Sequence, residues 1–142
     1  LLKGFLPVHL AAHSLGTQEM GFALIMAGPV LGHAYPLLGG KAKGGKGIAV
    51  TFGVLAGLYP FWHSLELLIF WYLLFSLVVV VSPHSLRPGA AYLCWLASSL
   101  LCRIHPVFAA GTFLISAIVI DKHREELRHV ENRKIKFIFR RN

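Results

Sequence analysis

Long apolar blocks separated by short polar stretches divide this chain. Residues 5–16 are apolar but short. Residues 20–38 run for 19 positions without a formal charge, enough for about 30 Å of hydrocarbon at ~1.5 Å per residue. Residues 48–62 form a shorter apolar block. The most apolar stretch, 64–82, carries four consecutive valines at 78–81 and a single acid, Glu66, near one end. Residues 90–102 and 106–120 form a last pair, split by Arg103-Ile104-His105. The pattern predicts about five to six membrane segments, an all-α polytopic transmembrane helical bundle. It places 1–142 in a single membrane domain, with 121–142 as a basic tail.

Composition narrows the reading. Of 142 residues 56% are apolar, and the mean hydropathy is +0.64, too greasy for a soluble domain. A net charge of +8 would suggest a nucleic-acid partner in a soluble protein. Here the basic residues cluster between apolar blocks, so they report topology and the expected partner is the lipid bilayer, not nucleic acid. Alternating the spans places thirteen of the fourteen Lys and Arg on one side, with Arg103 alone opposite. By the positive-inside rule that side is cytoplasmic and the protein multi-pass in the cell membrane. Cys94 and Cys102 fall inside apolar blocks with no CxxC spacing and read as small buried hydrophobes. Glycines at 28 and 32, and at 53 and 57, give two GxxxG spacings, which permit close helix approach.

The stretch with the clearest chemistry is Gly39-Gly40-Lys41-Ala42-Lys43-Gly44-Gly45-Lys46-Gly47. Glycine lets backbone N–H groups approach a ligand that a Cβ would hold off. Successive N–H groups turned inward form an anion nest, and lysines add charge to it. A phosphate monoester suits such a loop; a plain turn whose lysines fix membrane orientation is the alternative. Gly40-x-x-x-x-Gly45-Lys46 imitates a Walker A loop, but Gly47 stands where Ser or Thr should hold Mg²⁺, and no strand of a soluble βαβ unit precedes it. A nucleotide is therefore excluded at this loop. His9 and His13 are four residues apart with no third ligand, so no metal is expected.

Residues 31–54, LGHAYPLLGGKAKGGKGIAVTFGV, resemble the bacterial acyl-phosphate:glycerol-3-phosphate acyltransferase family (PlsY type). The resemblance rests on Gly32-His33-Ala34-Tyr35-Pro36 and, a few residues on, the Lys-Gly-Gly-Lys-Gly-Ile-Ala run from Lys43 to Ala49. Leu1-Leu2-Lys3-Gly4 matches the end of the family's Asp-x-x-Lys-Gly element, and Lys122-His123-Arg124-Glu125 is similar to its Arg-His-Arg-Glu-Asn. The resemblance implies transfer of an acyl group from acyl phosphate to the sn-1 hydroxyl of glycerol 3-phosphate, giving lysophosphatidate for phospholipid synthesis, with no cofactor. It implies phosphate binding by Lys3, His33, Lys43, Gly44, Gly45, Lys46 and Gly47, and a catalytic His123, which orients the hydroxyl or donates to phosphate.

The chain also departs from the family pattern. It begins at Leu1 inside an apolar block, so a fragment or processed chain lacking an N-terminal Ser/Gly/Asn/Thr-rich element is expected. Ala91 stands for an arginine, Cys94 for a serine and Glu126 for an asparagine. These departures predict that the chain alone does not turn over. The alternative is a non-catalytic membrane homologue, subunit or carrier that keeps the phosphate loop.

Overall fold

Backbone in hydrocarbon has no water to bond, so each crossing must satisfy its own N–H and C=O groups, as a helix does within one segment. The computed structural model describes residues 1–36, 44–78 and 86–139. Among them lie α1 (Leu2–Leu15), α2 (Phe22–Ala34), α3 (Ile48–Ala56), α4 (His63–Leu73), α5 (Leu86–Leu101) and α6 (Pro106–Phe139). A π-helical stretch, Leu74–Val78, continues α4. No strand occurs among the described residues.

Local chemistry sets the helix ends. Tyr35 precedes Pro36, whose ring disfavours helical backbone one residue upstream. Tyr35 accordingly sits at φ −127°, ψ 80°, and α2 stops at Ala34. The apolar block 20–38 thus yields a helix of 13 residues, and block 48–62 one of nine. At ~1.5 Å rise these cover about 20 and 14 Å of a hydrocarbon core of about 30 Å, so both are shorter than the blocks predict. Among the described residues, Pro106–Arg124 of α6 is the one stretch long and apolar enough to cross a membrane by itself. Pro106 occupies the first helical position, where its missing N–H costs nothing. From there α6 runs unbroken past Ile120, so the charged segment begins as a continuation of the last span.

Successive helices reverse direction. Lys3, Tyr35, residues 44–47, Arg87 and residues 121–124 therefore share one end of the bundle, the loop end, while 57–62 and 102–105 share the other. Contacts along α2 and α6 agree with this: Met26 packs on Gly111, and Val30 and Val119 both close on Gly47. Between the ends lies a core built on Trp95, Tyr92, Phe22, Met26, Leu55 and Ile115. Indole N–H groups tie two of its helices together. Trp95 Nε1 donates to the Ser64 carbonyl at 2.9 Å and Trp71 Nε1 to Ser98 Oγ at 2.8 Å, fastening α4 to α5. The two GxxxG pairs behave differently: Gly53 and Gly57 lie against α1, whereas Gly28 and Gly32 face open space. Both cysteines are free thiols; Cys94 is half-buried, but Cys102 is exposed at the end of α5, not buried as its apolar neighbours suggest.

Candidate functional site

At the loop end, the last turn of α2 meets the returning chain. The Gly45 N–H donates to the His33 carbonyl at 3.0 Å. A Cβ on Gly45 would stand 2.2 Å from His33 Nε2, and one on Gly44 would stand 1.8 Å from the Ala34 carbonyl oxygen. Neither gap admits a side chain, so backbone packs directly on backbone and on an imidazole. Gly47 takes φ +77°, and a Cβ there would press Val30 at 3.0 Å and Val119 at 3.4 Å. That left-handed conformation is costly for any residue with a Cβ. It turns the chain into α3.

The start of α3 has no side-chain cap. Thr51 instead anchors the turn from within, its N–H and Oγ1 both donating to the Gly47 carbonyl at 2.9 and 3.0 Å. The first-turn N–H groups of a helix have no intrahelical acceptor, and the helix dipole is positive there. Preceded by Gly44-Gly45-Lys46-Gly47, this terminus is suited to an anion.

Helix α6 supplies the titratable group. Val119, which meets Gly47, lies one turn before His123. Only 3% of His123 is exposed. Its Nδ1 lies 2.8 Å from the Val119 carbonyl; a carbonyl only accepts, so Nδ1 carries the hydrogen. Nε2 is left buried, with no hydrogen-bond partner among the described residues. Such a nitrogen can accept a hydroxyl proton or, once protonated, donate to a phosphate oxygen. A buried polar atom left unpaired is destabilising by about 1–3 kcal/mol, and a bound ligand would relieve that.

A second clasp locks α2 to α6 beside this histidine. The Tyr35 hydroxyl donates to an Asp121 carboxylate oxygen. Lys122 Nζ lies 4.7 Å from the Tyr35 ring centroid, within cation–π range.

The structure thus seats Gly44 and Gly45 on Ala34 and His33 at the end of α2, and sets Val119, one turn before His123, against Gly47. Lys46, in the same loop, is exposed. Lys3 is exposed on the first turn of α1; its neighbour Gly4 packs on the backbone of Val50, one turn into α3, which carries Lys3 to the same end. Lys43 and residues 39–42 lie outside the described residues, as does the side chain of Glu126. Ala91 is buried in the core at 1% exposure. Sequence reasoning passed over Tyr35, Thr51 and Asp121. Tyr35 stood inside a quoted motif, and Asp121 is the one aspartate in the chain. Their pairing joins positions 86 residues apart.

Comparison with known proteins identifies relatives of the whole described bundle. The family model described as Glycerol-3-phosphate acyltransferase matches residues 1–133. The chain is 34% identical over 130 residues to the glycerol-3-phosphate acyltransferase of Thioalkalivibrio sulfidiphilus, covering 92% of this chain and 61% of that one. It is 32% identical over 139 residues to the enzyme of that name from Streptococcus thermophilus, covering 94% and 64%. Its fold is similar to the crystal structure of PlsY (YgiH), an integral membrane glycerol 3-phosphate acyltransferase, in its glycerol 3-phosphate form. The TM-score is 0.73 at 26% identity, over 92% of this chain and 63% of that one. The chain therefore spans 61–64% of the length of these relatives, and its helices are those of a polytopic membrane bundle.

Proposed function

The chain belongs to the glycerol-3-phosphate acyltransferase family, and from that premise we propose that it forms the phosphate-binding end of a membrane enzyme acylating glycerol 3-phosphate from acyl phosphate. The observation that carries the reading is the convergence of three otherwise costly features. A glycine loop without room for side chains opens an uncapped helix, and a buried imidazole nitrogen with no partner among the described residues lies one turn from the residue packed on Gly47.

In this reading Gly44, Gly45 and Gly47 present backbone N–H groups to phosphate. Lys46 and Lys3 add charge from the same end, His33 holds the loop in place, and Lys43 is assigned to phosphate on the sequence resemblance alone. The acyl chain lies in the bilayer. The sn-1 hydroxyl oxygen attacks the acyl carbonyl carbon, the bond to the phosphate oxygen breaks, and inorganic phosphate leaves with the electron pair. His123 Nε2 orients the hydroxyl and takes its proton. Lysophosphatidate is the product, and the residues assigned here require no metal or nucleotide. Because acyl phosphate carries a good leaving group, positioning and charge stabilisation supply most of the rate.

Alternating the spans along the sequence puts thirteen of the fourteen Lys and Arg on one side, which supports a cell-membrane protein with the loop and the 121–142 tail cytoplasmic. Ala42→Cys in a background free of Cys94 and Cys102 tests this: labelling from outside intact cells would overturn the orientation. Incubating the chain in lipid with acyl phosphate and labelled glycerol 3-phosphate tests the chemistry. Formation of lysophosphatidate that falls about ten- to a hundredfold in Lys46→Ala supports the assignment. The burial of Ala91, where the resemblance places an arginine, favours one second reading, a homologue that binds without turning over. Glycerol 3-phosphate binding without transfer would establish it; absence of binding would refute both.

A further inference from the structure

The end of the bundle away from the loop holds a cavity of about 380 Å³ between the start of α4 and the α5–α6 connection. Its size lies within the range of small-ligand sites, roughly 300–1,000 Å³. Nothing in acyl transfer at the loop end requires it.

Charges of both signs line it: Glu66 from the first turn of α4 and Arg103 from the connection. No ion pair joins them among the described residues. Arg103 is held at φ +51°, a left-handed backbone rarely taken by a residue with a side chain. Ser64, at the floor, is 2% exposed, and its Oγ has no hydrogen-bond partner among the described residues. His63 and His105 add donors at the rim. A metal does not account for this set, since no three His, Cys, Asp or Glu side chains converge among the described residues.

The remaining wall is apolar. Phe61 and Phe108 pack ring on ring at 5.4 Å, with Leu67 beside them. Depth is marked by Tyr59 and Trp62 at the same end, 62% and 47% exposed and paired at 5.4 Å. Exposed Tyr and Trp at a span end sit at the headgroup level of a bilayer. The cavity therefore opens where lipid headgroups lie, with a cation, an anion and a buried hydroxyl held apart over an apolar wall.

We propose that this cavity seats the headgroup of a zwitterionic aminophospholipid from the leaflet opposite the loop. The phosphate is held by Arg103 and the Ser64 hydroxyl, the ammonium by Glu66, and the acyl chains pass along Phe61, Leu67 and Phe108. Uniformly anionic lipids would meet Glu66 with like charge, which gives selectivity by repulsion.

Photoactivatable phosphatidylethanolamine, offered to the full chain in bilayers of equal phosphatidylethanolamine and phosphatidylglycerol, tests this. Crosslinks are expected in peptides containing 61–67 and 102–108. Arg103→Ala should cut them about tenfold, as loss of a charge-assisted contact does. Ser64→Ala should cut them several-fold without changing helicity or thermal midpoint, which separates loss of the ligand from misfolding. Glu66→Gln should abolish the preference over phosphatidylglycerol while total crosslinking persists. Equal labelling by both lipids in the unaltered chain, or crosslinks indifferent to Arg103→Ala, would overturn the proposal. A soluble arm separates the sources: sn-glycero-3-phosphoethanolamine should fail to compete, and stoichiometric competition would identify a free aminophosphate as the ligand instead of a lipid.

Discussion

Two glycine pairs with identical spacing meet opposite fates in this bundle. Gly53 and Gly57 on the α3 side face α1 so closely that a Cβ would stand 2.0 Å from the Leu1 carbonyl oxygen and 2.8 Å from that of Phe5. Gly4 returns the contact from α1, with a Cβ position 2.3 Å from the Val50 carbonyl. A Cβ at Gly28 or Gly32 on α2 would meet nothing within 4 Å among the described residues. The spacing thus states that two backbones can approach, and only a partner helix makes them do so. The loop glycines extend the first case: at Gly44 and Gly45 the partner is the end of α2 itself, and the close approach shapes a site as well as a seam.

Substitutions that add one methyl group break or sharpen this contrast. The largest effect is expected from Gly44→Ala, where the clash at 1.8 Å is with backbone oxygen and the loop must leave its seat. Glycerol 3-phosphate affinity, measured by equilibrium binding, should fall by about a hundredfold or more, ~3 kcal/mol. Retained affinity would mean that the loop binds nothing. Next comes Gly53→Ala, which forces α1 off α3 and should cost about 1–3 kcal/mol in a thermal melt in detergent. Tyr35→Phe removes the hydroxyl bound to Asp121 at an accessible position. It should lower stability by about 1 kcal/mol. Smallest is Gly28→Ala, with no clash and a better helix former, expected to be neutral or stabilising by about 0.5–1 kcal/mol. A large loss there would show that the open face of α2 has a partner after all.

The hydropathy blocks located every helix, because a membrane segment is specified by its own composition. They overestimated the lengths of α2 and α3 and underestimated those of α1, α5 and α6; Pro36 ends α2 early through a clash that acts on one neighbour. The glycine loop was legible as a candidate anion site because glycine's freedom is local, and the resemblance picked out His33 and His123 as candidates. Tyr35 as a clasp, and the Ser64–Glu66–Arg103 cavity, were not legible. Each depends on residues that the chain separates by tens of positions.

Residue by residue, then, the sequence determined an all-helical membrane protein, the clustering of its basic residues between apolar blocks, and a glycine-rich backbone between α2 and α3. These follow from transfer energies and backbone sterics, which act over a few residues. Tertiary structure alone decided which GxxxG pair became a seam. It buried His123 and left Nε2 with no hydrogen-bond partner among the described residues. It also closed Gly47 between Val30 and Val119. Contacts of that kind need two surfaces, and the geometry of the second is set only when a distant helix packs against the first.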